Sequence, residues 1–159
     1  MSGSDRCADL GTTMATTPCV DLSIPSCPHG VREALDRVIA ALGPLNLSAD
    51  EVGTIELVLA EALNNVVEHA YGDQGALQPI RICAHHRADG LHLRITDRGK
   101  AMPGDQLPDG VLPDVGEETD ALPEGGYGWY LIHDLANDVA YRREGDENRL
   151  DLRIAVADS

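Results

Sequence analysis

The chain has 159 residues, which suits one domain with a single core. Hydrophobic residues make up 43% and aromatic residues only 3%, with no Phe, so the composition argues against a wholly disordered chain and requires an aliphatic core. The formal net charge of −15 argues against general nucleic-acid binding, because phosphates are repelled, but leaves room for a nucleotide whose charge is met locally by Mg²⁺ and backbone N–H groups.

Residues 1–17 are small and polar and are expected to form a flexible tail, leaving 18–159 as one domain. Val20, Leu22 and Ile24 alternate with Asp21 and Ser23, which predicts a short strand. Pro28 can open a helix, and Val31, Leu35, Val38, Ile39 and Leu42 recur at helical spacing until Gly43-Pro44 ends it. Ser48 with Glu51 three residues on forms a capping box. The helix it starts should run to about Tyr71, stop at Gly72, and bury Val52, Ile55, Leu59, Ala62, Leu63 and Val66. Ile80 to His86 and Leu91 to Thr96 alternate as strands, with Asp89-Gly90 as the hairpin signal. Residues Arg98 to Glu124 are rich in Gly, Pro and Asp, and loops of this length are commonly functional or disordered. A third helix is expected from near Tyr127 to near Asn137, then a closing hairpin of Val139 to Arg142 and Arg149 to Val156. The element order predicts an α+β fold: a two-layer sandwich with helices on one face of a mostly antiparallel sheet.

Cys7, Cys19, Cys27 and Cys83 form no C-x-x-C pair, so neither a zinc site nor a disulfide framework is indicated and unpaired thiols are expected. No apolar run approaches the roughly 20 residues of a membrane span. No basic-then-apolar leader opens the chain, so a soluble, cytoplasmic protein is expected.

Three local patterns carry chemistry. Glu61 and Asn65 lie on one line of the long helix, away from the centre of its apolar stripe, and His69 continues that line. One reading is a cleft wall: Asn65 as a neutral, hard ligand for Mg²⁺, and Glu61 as acceptor of a proton from an attacking hydroxyl or water. The other reading is a solvated face shared with Asn64 and Glu68. Asp97 has the parity of Leu91, Leu93 and Ile95, so its carboxylate points toward the helix layer and needs a partner there. An adenine amino group is one candidate, and Gly99 would let a flat base lie close, although an Asp that only caps the strand end is common. Finally, Gly125-Gly126-Tyr127-Gly128 opens into Trp129-Tyr130-Leu131-Ile132, and free N–H groups at a helix start bind phosphate. No Lys-Ser or Lys-Thr follows, so this is not a P-loop.

Taken in order, E-x-x-x-N-x-x-x-H on a helix, D-x-G after a strand and G-x-G at a helix start resemble the GHKL ATPase superfamily, whose fold is the Bergerat sandwich. Within it, E-A-L-N-N-V-V-E-H-A-Y, G-Y-G-W-Y-L-I and the ending N-R-L-D-L are similar to anti-sigma factor serine-protein kinases of the RsbW type, over roughly Val20 to Ala155. The resemblance implies Mg-ATP as the nucleotide, Glu61 as general base and Asn65 as the Mg²⁺ ligand, with His69 completing the motif. It places Asp97 on the adenine amino group, with Gly99 beside the base. Gly125, Gly126, Tyr127, Gly128 and Trp129 belong to the phosphate turn, and residues from Arg98 to Glu124 to a lid. It implies phosphorylation of a serine on an anti-anti-sigma (STAS) protein, binding of a sigma factor or other regulatory target, and a homodimer. One departure is Ala101, where the family often has a second glycine in D-x-G-x-G; its methyl group bears on the lid hinge. Lys100, the only lysine, is expected to be a solvated loop charge. Two alternatives stand beside the kinase: a nucleotide-binding interaction module without phosphoryl transfer, and a histidine-kinase-like catalytic domain. The second would use His29, which lies next to Pro28 and reads better as a helix-start residue.

Overall fold

The alternating apolar runs close into one sheet. A computed structural model describes residues 18–71, 78–102 and 126–156, with the side chains of 18–19, 69–71 and 126–128 left aside. The elements are β1 (Pro18–Pro25), α1 (Pro28–Ala41), a 3-10 turn (Gly43–Leu45), α2 (Ala49–Asn65) continuing as a π-helical segment (Val66–Tyr71), β2 (Pro79–Arg87), β3 (Gly90–Asp97), α3 (Gly126–Leu135), β4 (Asn137–Glu144) and β5 (Glu147–Ile154). The strands lie in the order β1-β2-β3-β5-β4, and every pair is antiparallel. The predicted two-layer α+β sandwich is the observed fold. The expected tail, residues 1–17, lies outside the described residues.

Strand parity decides which side chains meet the helices. Ile80, Ile82 and Ala84 of β2, Leu91, Leu93 and Ile95 of β3, and Leu150, Leu152 and Ile154 of β5 join one core with Val31, Ala34 and Val38 of α1, Ile55, Val58, Leu59 and Leu63 of α2, and Ile132 of α3. The opposite face is polar and cross-linked by charge. Arg81 pairs with Asp21 at 2.8 Å, Arg94 with Asp151 at 2.8 Å and Arg153 with Asp138 at 2.9 Å. Each of these pairs joins different strands, so they support strand register more than net stability.

α2 begins where the capping box predicts. Ser48 Oγ accepts from the Glu51 N–H at 3.1 Å, and Glu51 Oε1 accepts from the Ser48 N–H at 2.8 Å. The buried stripe differs from expectation at one turn: Val58 is fully buried, whereas Val52 is half-buried near the exposed start of the helix. Past Asn65 the helix widens into i→i+5 turns, which recur at functional sites. The four-residue line through Glu61 and Asn65 is therefore not carried on to His69 by α-helical geometry.

Two further expectations are corrected. Residues Ala88-Asp89, not Asp89-Gly90, form the two-residue hairpin turn, because Arg87 pairs with Gly90. Gly90 is needed as the first residue of β3: its φ is +133°, and a Cβ there would meet the Ile154 carbonyl oxygen at 2.5 Å. Cys83 is disulfide-bonded, while Cys27 is free. The partner of Cys83 lies outside the residues whose side chains are described. β1 and β2 pair with Asp21 opposite Cys83, so the neighbours of that sulfur are set by sheet register, which cysteine spacing does not encode. Among the described residues, no helix is long and apolar enough to cross a membrane.

These details set a stability prediction. Ser48→Ala should lower the unfolding free energy by about 1 kcal/mol through loss of the cap. Gly90→Ala should cost more, about 2 kcal/mol or above, because it adds backbone strain to a clash. Urea unfolding followed by circular dichroism ranks the two; a Gly90→Ala midpoint at or above that of Ser48→Ala contradicts the assignment of the strand start.

Candidate nucleotide-binding site

The last residue of α2 is the first anomaly. Asn65 is only 7% exposed, and its Nδ2 is enclosed with no hydrogen-bond partner among the described residues. Leaving a buried amide unpaired costs about 1–3 kcal/mol. A solvated face does not bury its asparagine, so the cleft-wall reading of this line is favoured at Asn65. Its neighbours behave differently: Glu61 and Asn64 are half-buried and Glu68 is exposed.

Asp97, at the end of β3, is 5% exposed, as its parity requires. Its Oδ1 accepts from the Gly99 N–H at 2.8 Å and from Asn148 Nδ2 at 2.8 Å. Among the described residues Oδ2 accepts no hydrogen bond. Burial pushes the Asp97 carboxyl above its ordinary value; the bonds from Asn148 and Gly99 and the nearby Arg143 guanidinium oppose that shift, and Glu147 adds to it. The carboxylate thus has one satisfied oxygen and one available oxygen.

Three residues around Asp97 had no assigned role in the sequence reading. β3 pairs with β5 so that Asp97 faces Asn148, and β5 pairs with β4 so that Asn148 faces Arg143. Arg143 Nη1 donates to the Gly99 carbonyl at 2.7 Å and to Asn148 Oδ1 at 3.0 Å. The Tyr141 hydroxyl donates to Asn148 Oδ1 at 2.5 Å and accepts from the Met102 N–H at 3.0 Å. Asn148 Nδ2 also reaches the Lys100 carbonyl at 2.9 Å. Asp97 and the start of the predicted lid, from Arg98 to Met102, are therefore clasped to β4 and β5. The available sequence signal was the motif N-R-L-D-L itself, which opens with Asn148; its pairing with β3 is a property of the fold.

Gly99 and Ala101 are half-buried in this clasped turn, while Arg98 and Lys100 are exposed, as expected for Lys100. α3 begins one residue before the expected start. Gly126, Tyr127 and Gly128 thus form its first turn, whose N–H groups have no intrahelical acceptor. Trp129 is buried, with its ring 6.1 Å from that of His133. Gly125 and residues 103–124 of the predicted lid lie outside the described residues, as does the side chain of His69. α2 and α3 pack against each other over the sheet whose β3 carries Asp97.

Among the described residues no group of three or more His, Cys, Asp or Glu could hold a metal ion. A protein-only cage is not what a nucleotide-borne Mg²⁺ requires, since it keeps most of its ligands from phosphates and water. The oxygen of the Asn65 amide is the atom that would hold such an ion, while its unpaired Nδ2 is an N–H donor and suits a phosphate oxygen.

Residues 24–154 match the histidine kinase-like ATPase domain family. The chain belongs to that family. It is 26% identical to the serine-protein kinase RsbW of Halalkalibacterium halodurans, over 79% of this chain and 76% of that one. It is 27% identical to the serine-protein kinase RsbW of Oceanobacillus iheyensis, over 79% and 80%, and 26% identical to that of Staphylococcus epidermidis, over 82% of each. Among solved structures, the RsbU and RsbW domains of a Mycobacterium tuberculosis protein superpose with a TM-score of 0.61 at 14% identity, over 88% of this chain. The likeness covers 32% of that longer chain and is a likeness of fold.

For a histidine kinase-like ATPase domain, the state of Asp97 yields a prediction with a definite sign. Its raised pKa means that the ionised form is the costlier one in the fold. This group therefore destabilises the folded protein above the raised pKa, and the cost is relieved as pH falls through it toward the ordinary carboxylate value. Asp97→Asn should hold or raise the melting temperature at pH 7, yet lower ATP affinity by about tenfold or more, because an amide NH₂ then faces a donor. Differential scanning fluorimetry with and without ATP reads both; loss of stability together with unchanged ATP affinity contradicts the assignment.

Proposed function

We propose that this ATPase-domain chain is a serine-protein kinase that binds Mg-ATP and phosphorylates a serine of an anti-anti-sigma (STAS) protein, as a partner-switching regulator. The observation that carries the nucleotide part is Asn65, whose buried Nδ2, a donor suited to a phosphate oxygen, has no hydrogen-bond partner among the described residues, at the end of the helix that bears Glu61. The named serine-protein kinase relatives, aligned over about four-fifths of the chain, support the transfer.

Each residue has a role in this reading. Asp97 Oδ2 accepts from the amino group of the adenine, and Gly99 leaves space for the ring. The first-turn N–H groups of Gly126, Tyr127 and Gly128 face the phosphates, where the helix dipole favours negative charge. Asn65 supplies its amide oxygen to Mg²⁺. When bound, that ion neutralises charge on the phosphate oxygens. Glu61, half-buried one turn before Asn65, takes the proton of the attacking serine hydroxyl as the serine oxygen bonds to the γ-phosphorus and the bond from that phosphorus to the β–γ bridging oxygen breaks, releasing ADP. Positioning and charge neutralisation dominate such transfers. Beyond the substrate, the proposal includes a sigma factor or another regulatory target as the antagonised partner, a homodimer, and a cytoplasmic location.

The alternative of an interaction module without transfer differs at Glu61. Glu61→Ala is expected to keep Mg-ATP affinity within about threefold while transfer of radiolabelled phosphate to a STAS protein falls at least about 100-fold. Asn65→Ala is expected to abolish the Mg²⁺-dependent part of ATP binding measured by calorimetry. Wild-type transfer rates in Glu61→Ala remove the base assignment. If the wild-type protein binds Mg-ATP but phosphorylates no STAS protein from the source cell, the module reading replaces the kinase.

A further inference from the structure

We propose that Asn148, held by Tyr141 and Arg143, makes this site discriminate 6-amino from 6-oxo purines by fixing which oxygen of Asp97 the base meets. Asn148 is a positioning residue acting through Asp97. The inference rests on the nucleotide-binding part of the function proposed above and is independent of phosphoryl transfer.

The direction of every hydrogen bond in the clasp is determined by chemistry. Arg143 only donates, so the oxygen of the Asn148 amide must face it, at 3.0 Å. Tyr141 spends its acceptor on the Met102 N–H, so its own O–H goes to the same Asn148 oxygen. The Asn148 nitrogen is thereby turned the other way, toward acceptors only: Asp97 Oδ1 at 2.8 Å, the Lys100 carbonyl at 2.9 Å and the Gly99 carbonyl at 3.3 Å. A flipped amide would set its oxygen against a carboxylate and two carbonyls. Asn148 is 5% exposed, so water does not offer an easy substitute for these bonds.

The consequence falls on Asp97. The Gly99 N–H and the Asn148 NH₂ together occupy Oδ1. Rotating the carboxylate would break both bonds in a buried setting. Among the described residues Oδ2 is left as an oriented acceptor without a donor. A 6-amino purine supplies the donor it needs; a 6-oxo purine brings a second acceptor against it. Sites built on an oriented hydrogen bond reject the wrong partner strongly, because the buried group is left unpaired. Without Asn148, Oδ1 keeps only the Gly99 N–H, and the carboxylate can turn or take up a proton and become a donor to a 6-oxo group.

The test uses the full chain and compares Mg-ATP with Mg-ITP, which carry the same phosphates and differ at position 6. Dissociation constants are measured by calorimetry for wild type, Asn148→Ala and Tyr141→Phe, with melting temperatures recorded without nucleotide. Wild type is expected to prefer ATP by about 100-fold or more. Asn148→Ala should lose at least about tenfold in ATP affinity while ITP affinity changes by less than about threefold, so the preference shrinks. Tyr141→Phe keeps the ring and leaves Arg143 on the amide, so the preference should shrink by a smaller factor in the same direction. Equal loss for both nucleotides in Asn148→Ala, or an unchanged ratio, overturns the inference. If that variant does not fold, the Tyr141→Phe ratio decides, and an unchanged ratio there overturns it. Should wild type bind neither nucleotide, the nucleotide reading fails and this inference fails with it. A wild type that discriminates beside variants that keep its ratio sinks this inference alone.

Discussion

Burying a carboxylate at the end of a central strand constrains everything around it, because the group must be supplied with donors from elements that are distant in sequence. Asp97 receives one donor from its own turn, at Gly99, and one from Asn148 of β5. The second is available only if β5 pairs with β3 in the register that sets Asp97 opposite Asn148. β4 then adds Arg143 beside Asn148 and Tyr141 above it. The same contacts that keep the carboxylate tolerable therefore lock the turn from Asp97 to Met102 onto the sheet. Packing of the aliphatic core fixes the layers, but this polar cluster fixes what the open end of the sandwich presents to a ligand.

Asn65 is the complementary case. It too is buried, yet the described residues supply no acceptor to its Nδ2. One carboxylate supplied at a single oxygen and one amide nitrogen left unsupplied among the described residues is the arrangement expected when a ligand completes the site. Preorganisation of this kind shifts the cost of ordering from binding to folding. The widening of the helix into π-helical turns directly after Asn65 belongs to the same region, since such turns replace regular packing where a function needs a different backbone path.

Much of this was legible in the chain because it is encoded locally. Ser48 and Glu51 stand three residues apart, and Asp97 shares parity with three buried aliphatic residues on its own strand. What escaped was encoded across long separations. Asn148 lies 51 residues from Asp97, beyond a loop whose length gives no hint of the register that joins them. The disulfide of Cys83 and the burial of Asn65 escaped for the same reason. The helical wheel sets Asn65 away from the centre of the apolar stripe, but only the packed molecule decides whether that flank meets solvent. Gly90 shows the smaller error of register: the glycine was recognised, but its close approach to the Ile154 carbonyl makes it the start of a strand instead of part of the turn.

The charge of the chain bears on how such a site can hold phosphates at all. With 27 acidic against 12 basic residues, the protein's overall field repels a nucleotide. The guanidinium nearest the carboxylate, Arg143, is not spare: it donates to the Gly99 carbonyl, to Asn148 and to the Gly145 carbonyl. Lys100, the only lysine, is exposed on the clasped turn. A site in this setting must draw its positive potential from groups that carry no formal charge. In the proposed reading the first-turn N–H groups of α3, built on Gly126 and Gly128, would be of that kind, with the charge of a phosphate-bound Mg²⁺ added to them. An Asp in place of Asn65 would hold the ion more strongly in isolation, but it would add one more negative charge beside the phosphates and lie buried without a counter-ion whenever the ion left. In the proposed reading a neutral asparagine would avoid both costs.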